Sequence, residues 1–331
     1  MRPHLTSDNH HLSRFTLSSG GMSPFPAINA RADGSPPEEV RRLIEQSLSA
    51  NTRRAYLSDL AHFEAWGGVV PATPTTVAAY LADYADRLRV ATLVRRVTAI
   101  GKVHEARGLP NPVRSELVRA TLRGIRRTRG SPQREARPLL REDLGGIVDA
   151  LDTTLRDRRD RALLLVGFAG GFRRSELVGL DRADIEPVRE GLVVTLRRSK
   201  TDQAGKSRKI GIPHGRTRWC PVSALEAWLS YSGIKGGPLF RPINRHGHVA
   251  SGRLSGEAVS IIVQERAAAA GLDPRGFSGH SLRSGMATSA ARAGVPSWKI
   301  RTQTGHASDA MLARYIRSGE LFIDNAVSAL L

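Results

Sequence analysis

The amino-acid sequence predicts a mainly α-helical protein of two domains, the second carrying a small antiparallel sheet. Three observations predict this. At 331 residues the chain is long for a single hydrophobic core. Residues 37–127 carry apolar side chains at helical spacing throughout. Strand-like runs occur at only two places, 191–196 and 207–213, with a polar segment between them that reads as a hairpin tip.

Taken in order, residues 1–36 are rich in Ser, Pro, Gly, Asn and His without a hydrophobic period, the pattern of a disordered tail. Pro36-Pro37-Glu38-Glu39 then makes a helix start, with Val40, Leu43, Ile44 and Leu48 on one face. Asn51-Thr52 reads as the cap of a second helix, whose Tyr56, Leu57, Leu60, Phe63 and Trp66 share a side before Gly67-Gly68 ends it. Thr73-Pro74 opens a third, with Val77, Tyr80, Leu81 and Tyr84. A fourth holds Leu93, Val97, Ile100 and Val103, and Pro112 opens a fifth with Leu117, Val118, Leu122 and Ile125. Together they make a compact bundle over 37–127. Residues 128–138 (TRGSPQREARP) mix Gly, Pro and charge without a period and read as a linker. The second domain, 139–331, starts with a helix over about 141–155. A helix at about 158–170 follows, apolar on most sides and so expected at the centre of the core. After the two strands, helices are expected at 221–231, 255–270, 279–293, 297–304 and 308–316, with a short apolar helix at 320–331.

Charge narrows the partner. Fifty Lys+Arg against 31 Asp+Glu give a formal net charge of +19, a field that favours a polyanion and speeds encounter with one. Arginine predominates over lysine, which favours bidentate contacts to phosphate. On the polar faces of the N-terminal helices lie Arg53, Arg54, Arg95, Arg96, Lys102, Arg119, Arg123, Arg126 and Arg127. Singly each reads as a solvated helix face more readily than as a phosphate contact. One cysteine, Cys220, excludes an internal disulfide and a zinc site built on several thiolates. The longest apolar stretch, Ala162 to Phe172, is too short to cross a bilayer and the N-terminus has no apolar leader, so a cytoplasmic protein is expected, nucleoid-associated when bound to DNA. No P-loop, acidic metal cluster or dinucleotide-binding glycine pattern occurs.

Six residues of the second half carry chemistry: Arg173 in GGFRRSEL, Lys200 in RRSKTDQ, His280 and Arg283 in GHSLRSG, His306 in TGHAS, and Tyr315 in ARYIR. Two guanidiniums can grip the non-bridging oxygens of a phosphodiester and offset the charge that builds in its transition state, without a metal. His280 and Arg283 at i and i+3 share a helix face. A tyrosine has a phenol pKa near 10 and needs cations or a base beside it to act as a nucleophile at neutral pH. The plainer alternatives are an Arg173 paired with Glu176 or Asp181 on the surface, a capping or core histidine at 306, mobile surface lysines at 200, 206 and 209, and a core tyrosine at 315.

In this set, order and context the chain resembles the tyrosine recombinases of the phage integrase family, Cre-like members included, over nearly everything after about residue 40. The resemblance implies a SAM-like helical core-binding domain at 37–127, with the arginines and Lys102 of its polar faces forming, as a set, its DNA-facing side, and a catalytic domain at 139–331. It implies that Arg173 and Arg283 hold the scissile phosphate, with Glu176 in support, and that His280 acts as base or hydrogen-bond donor. His306 would bond a non-bridging oxygen; Cre-like members carry tryptophan there. Lys200 would protonate the leaving 5′-oxygen, and Tyr315 would form a 3′-phosphotyrosyl link. No cofactor is implied. The expected partner is double-stranded DNA with an inverted-repeat site, and the expected assembly is a homotetramer on DNA held by exchange of the 320–331 helix, exchanging strands through a Holliday junction. A type IB topoisomerase and a catalytically silent DNA-binding regulator are the alternatives.

Overall fold

The computed structural model describes residues 38–39, 42, 47–130, 136–197, 207–306, 308, 310, 312–313 and 315. The chain divides into two compact units, residues 1–134 and 135–331. The tail at 1–36, most of the first expected helix and the terminal helix at 320–331 lie outside the described residues.

The first unit is a helical bundle of α1 (Ala50–Ala65), α2 (Pro74–Tyr84), α3 (Val90–Ala106) and α4 (Glu116–Arg129). Its core is Leu60, Phe63, Val77, Tyr80, Leu81, Leu93, Val97, Ile100, Val103, Val118 and Ile125, the positions that helical spacing singles out. Two helix starts differ from the sequence expectation. α1 is capped by Ser49, whose hydroxyl accepts from Thr52 N, two residues ahead of the Asn51-Thr52 pair. Pro112 opens only a 3₁₀ turn, Pro112–Arg114, and α4 begins at Glu116 behind a Ser115 cap. Asn111 and Ser115 each accept a backbone N–H, so two consecutive caps divide what reads as one helix. Leu117 then falls on the outside, 48% exposed.

The second unit is built around α6 (Leu155–Ala169), buried on most sides from Ala162 to Gly167 as its apolar sequence requires. α5 (Arg141–Asp149), α8 (Pro221–Ser232) and α10 (Ser281–Arg292) pack against it. The short α7 (Arg174–Gly179), α9 (Gly256–Ala269) and α11 (Ser297–Thr304) follow, and residues 310, 312, 313 and 315 are also helical. Among the described residues the sheet has three antiparallel strands in the order β1 (Ile185–Val188), β2 (Gly191–Leu196), β3 (Arg208–Pro213), where the sequence suggested two. β1 pairs Ile185 with Val194 and Val188 with Gly191. It escaped the sequence reading because it has four residues and contains Pro187, tolerable only because β1 is an edge strand. At the two ends of the segment expected as a linker, α4 runs to Arg129, while Arg137 N bonds Gly276 O at 2.7 Å and Leu139 N bonds Ser281 O at 2.9 Å, inside the second unit. No helix among the described residues is long and apolar enough to cross a membrane.

Candidate active site

Arg173, Arg283, His280, His306 and Tyr315, scattered over more than 140 positions of the chain, come together at the C-terminal end of α11. Its last turn ends on Gly305, in the left-handed region at φ 66°, where a side chain would be strained. This turn presents main-chain carbonyls that no helical N–H can take. Arg283 Nη1 donates to Thr304 O and, at 2.8 Å, to Gly171 O. Arg173 Nη2 donates to Gly305 O at 3.2 Å. Two like charges are thereby held on adjacent carbonyls, where the negative end of the helix dipole offsets part of their repulsion.

Glu176 completes the pair. It is buried, and its carboxylate accepts Arg173 Nη1 at 2.6 Å and Arg173 N at 2.8 Å. Arg173 is therefore fixed at both ends, and the adjacent Arg174 turns to Ser260 on α9 instead. Arg283 is 1% exposed. Burial, and then the neighbouring Arg173, pulls its pKa down to about 10, which leaves it charged at neutral pH. Its Nη2 is buried with no hydrogen-bond partner among the described residues. An unmet buried donor costs about 1–3 kcal/mol, so an incoming oxygen acceptor gains from satisfying it.

His280 is the N-cap residue of α10 rather than part of its body, and it stays exposed while Arg283, one turn on, is buried. His280 Nε2 lies 2.8 Å from the Tyr315 hydroxyl. His306 packs near the same ring, with centroids 5.6 Å apart. Its Nδ1 meets Thr304 Oγ1 at 2.7 Å, and that hydroxyl donates to Ile300 O at 2.7 Å. The threonine proton being committed, Nδ1–H is the donor and the neutral ring keeps Nε2 as an acceptor. Burial, followed by the charges of Arg283 and Arg173, drives the His306 pKa down to about 3, so the ring is neutral at physiological pH.

Lys200 lies outside the described residues. A residue that the sequence reading passed over joins the site instead: Arg208, first residue of β3, donates to Thr302 O at 2.9 Å, Gln303 O at 3.1 Å and Thr304 O at 3.4 Å. No local pattern marks it, because its partners are backbone atoms more than 90 positions away.

The residues expected to face nucleic acid in the first unit do not behave alike. Arg126 and Arg127 are exposed in the last turn of α4. Arg123 pairs with Glu116, Lys102 with Glu105 at 2.9 Å, and Arg54 with Asn51 at 3.3 Å; Arg53 is half-buried. Arg96 departs from the expectation, whereas the Arg95 side chain stays 50% exposed. Asp59 is 1% exposed, and a buried carboxylate requires partners. Arg95 binds it through two 2.8 Å hydrogen bonds. Arg96 turns inward, with its side chain 12% exposed, 3.6 Å from Asp59 and against His62 and Tyr80. Arg96 is thus a core cation.

Residues 138–320 match the model of the phage integrase family. A protein named integrase/recombinase xerD homolog, from Selenomonas ruminantium, is 41% identical over 300 residues, covering 88% of each chain. The chain belongs to the phage integrase family. Recombinase cre of Escherichia phage P1 is 27% identical over 314 residues, spanning 85% of this chain and 90% of that one. The fold is also that of lambda integrase residues 75–356 bound to DNA (TM-score 0.59, 20% identity, 86% and 95% of the two chains covered). The recombinase XerH bound to a palindromic difH substrate is similar as well (TM-score 0.59, 16% identity, 90% and 85% covered).

Proposed function

We propose that this protein is a site-specific DNA recombinase that cuts and rejoins DNA through a tyrosyl intermediate. The observation that carries this reading is the 2.8 Å hydrogen bond between His280 Nε2 and the Tyr315 hydroxyl, beside two arginines fixed on adjacent carbonyls. The scissile phosphate sits between Arg173 and Arg283, and one of its non-bridging oxygens takes the unmet Nη2 of Arg283. Tyr315 Oη attacks phosphorus as its proton passes to His280. The bond from phosphorus to the 5′-oxygen breaks, and Lys200 returns a proton to the leaving hydroxyl. The 3′-phosphotyrosyl link conserves the bond energy, so a 5′-hydroxyl from a second strand can reverse the step without ATP or a metal. Glu176 holds Arg173 in place, and His306 lines the pocket beside Tyr315.

Relatives bound to DNA, the +19 net charge and the exposed arginines of α4 support duplex DNA as the substrate. Two protomers on each inverted-repeat site, and two sites in a tetramer, would carry strand exchange through a Holliday junction. The test uses nicked duplexes drawn from DNA flanking the protein's own gene. Wild type is expected to give an SDS-resistant protein–DNA adduct, and Tyr315→Phe none. An adduct that survives Tyr315→Phe would overturn the assignment. Joining of strands from two different duplexes distinguishes recombination from simple relaxation.

A further inference from the structure

The pocket contains a third guanidinium that the chemistry above does not use. Arg208 reaches from the start of β3 to the three consecutive carbonyls of residues 302–304. It shares Thr304 O with Arg283, and Arg173 occupies the next carbonyl, that of Gly305. The approach depends on a missing side chain: a Cβ on Gly305 would lie 2.6 Å from Arg208 Nη1 and 2.7 Å from its Cζ. Nearby, Gln303 Nε2 bonds Ala169 O at 2.9 Å and Gly211 O at 3.1 Å, tying the same turn to α6 and β3.

A guanidinium is costly to bring beside two others. Burial lowers the pKa of Arg208, Glu176 opposes that shift, and Arg173 adds to it. Among the described residues no carboxylate accepts an N–H of Arg208; its acceptors there are backbone carbonyls. A cation kept in this position without a carboxylate partner is there for the carbonyls it gathers. Those carbonyls in turn fix where Arg173 and Arg283 point, and the same turn continues into His306.

We propose that Arg208 is a positioning residue for cleavage: it closes the C-terminal turn of α11 so that Arg173 and Arg283 meet the scissile phosphate together. This rests on the recombinase reading given above. Arg208 touches neither the nucleophile nor the phosphate in this scheme; it acts through the carbonyls of 302–304.

The experiment compares wild type, Arg208→Lys and Arg208→Met on a nicked duplex that traps the wild-type adduct, and on the same duplex with a methylphosphonate at the scissile position. The methyl group removes the negative charge that the paired arginines stabilise. On the phosphate duplex, Arg208→Met is expected to slow adduct formation about 10- to 100-fold, the scale of a sub-ångström to ångström misplacement. Non-covalent affinity in a gel shift is expected to stay within about twofold, because affinity is spread over many phosphate contacts. On the methylphosphonate duplex the gap between wild type and variant should narrow. Arg208→Lys, which keeps the charge but not the fork, should recover part of the rate. Equal losses on both duplexes, or a loss of rate matched by a loss of melting temperature in both variants, would make Arg208 a structural residue only and overturn the proposal. So would an unchanged rate. If wild type itself forms no adduct at Tyr315, the recombinase reading fails; if wild type reacts and Arg208→Met reacts equally fast, only the positioning role fails.

Discussion

At the scale of single residues, the site depends on where protons and unmet donors are. His306 is the clearest case. Its folded pKa of about 3 lies below the ordinary 6.5, so between those values the unfolded chain binds a proton that the folded chain refuses. Stability from this group is complete above about pH 6.5 and is lost as the pH falls toward 3. Melting temperature should therefore drop between pH 7.5 and pH 5, and by less in His306→Gln; an identical drop in both would show that other groups dominate. For the reaction, Arg173→Ala should lower single-turnover cleavage about 10²- to 10³-fold, the cost of one preorganised oxyanion donor, with binding little changed. These residues were legible in the sequence as candidates, through the chemistry each job demands and through the resemblance. Their local geometry was not. His280 and Arg283 were read as sharing a helix face, yet the first is an exposed cap and the second is 1% exposed. Three residues apart decides direction, whereas depth depends on what packs above.

Elements were legible where a cap or a period stood alone. α2, with its Thr73-Pro74 start, and α11 at 297–304 follow the sequence reading, while Ser49 and Ser115 displaced the caps read from their neighbours. Ser49→Ala should destabilise the protein by about 0.5–2 kcal/mol, and chemical denaturation measures it. The charged faces were the least legible feature, because an arginine gives the same letter whether it meets DNA or a buried aspartate. Arg126 and Arg96 separate the two roles. Arg126→Gln should reduce the slope of log K against log salt by about one and leave stability alone. Arg96→Met should cost about 1–3 kcal/mol by stripping one partner from buried Asp59 and leave the slope alone. A reversed pattern would restore Arg96 to the DNA face.

For the whole molecule, charge and length gave the outline: a basic protein of two compact units, each with its own apolar cluster. What the sequence left out is the closure of the second unit. Arg173, Arg208 and Arg283 converge on four consecutive backbone carbonyls, and only folding can bring them there. With a net charge of +19, DNA affinity should fall steeply as salt rises. Removing residues after Gly319 should weaken cooperative assembly on paired sites more than occupation of a first site, as native gels at increasing protein concentration will show; equal losses would place that segment's role within one protomer.

The carbonyl end of α11 has one more consequence. Its acceptors belong to the main chain, so no substitution at 302 or 303 can delete them, while Trp298, Lys299 and Thr302 on the same helix are open to solvent. One short helix therefore joins an end that side-chain mutation cannot erase to a face that mutation can freely rewrite. Descendants of this chain can change what that face meets without rebuilding the chemistry underneath.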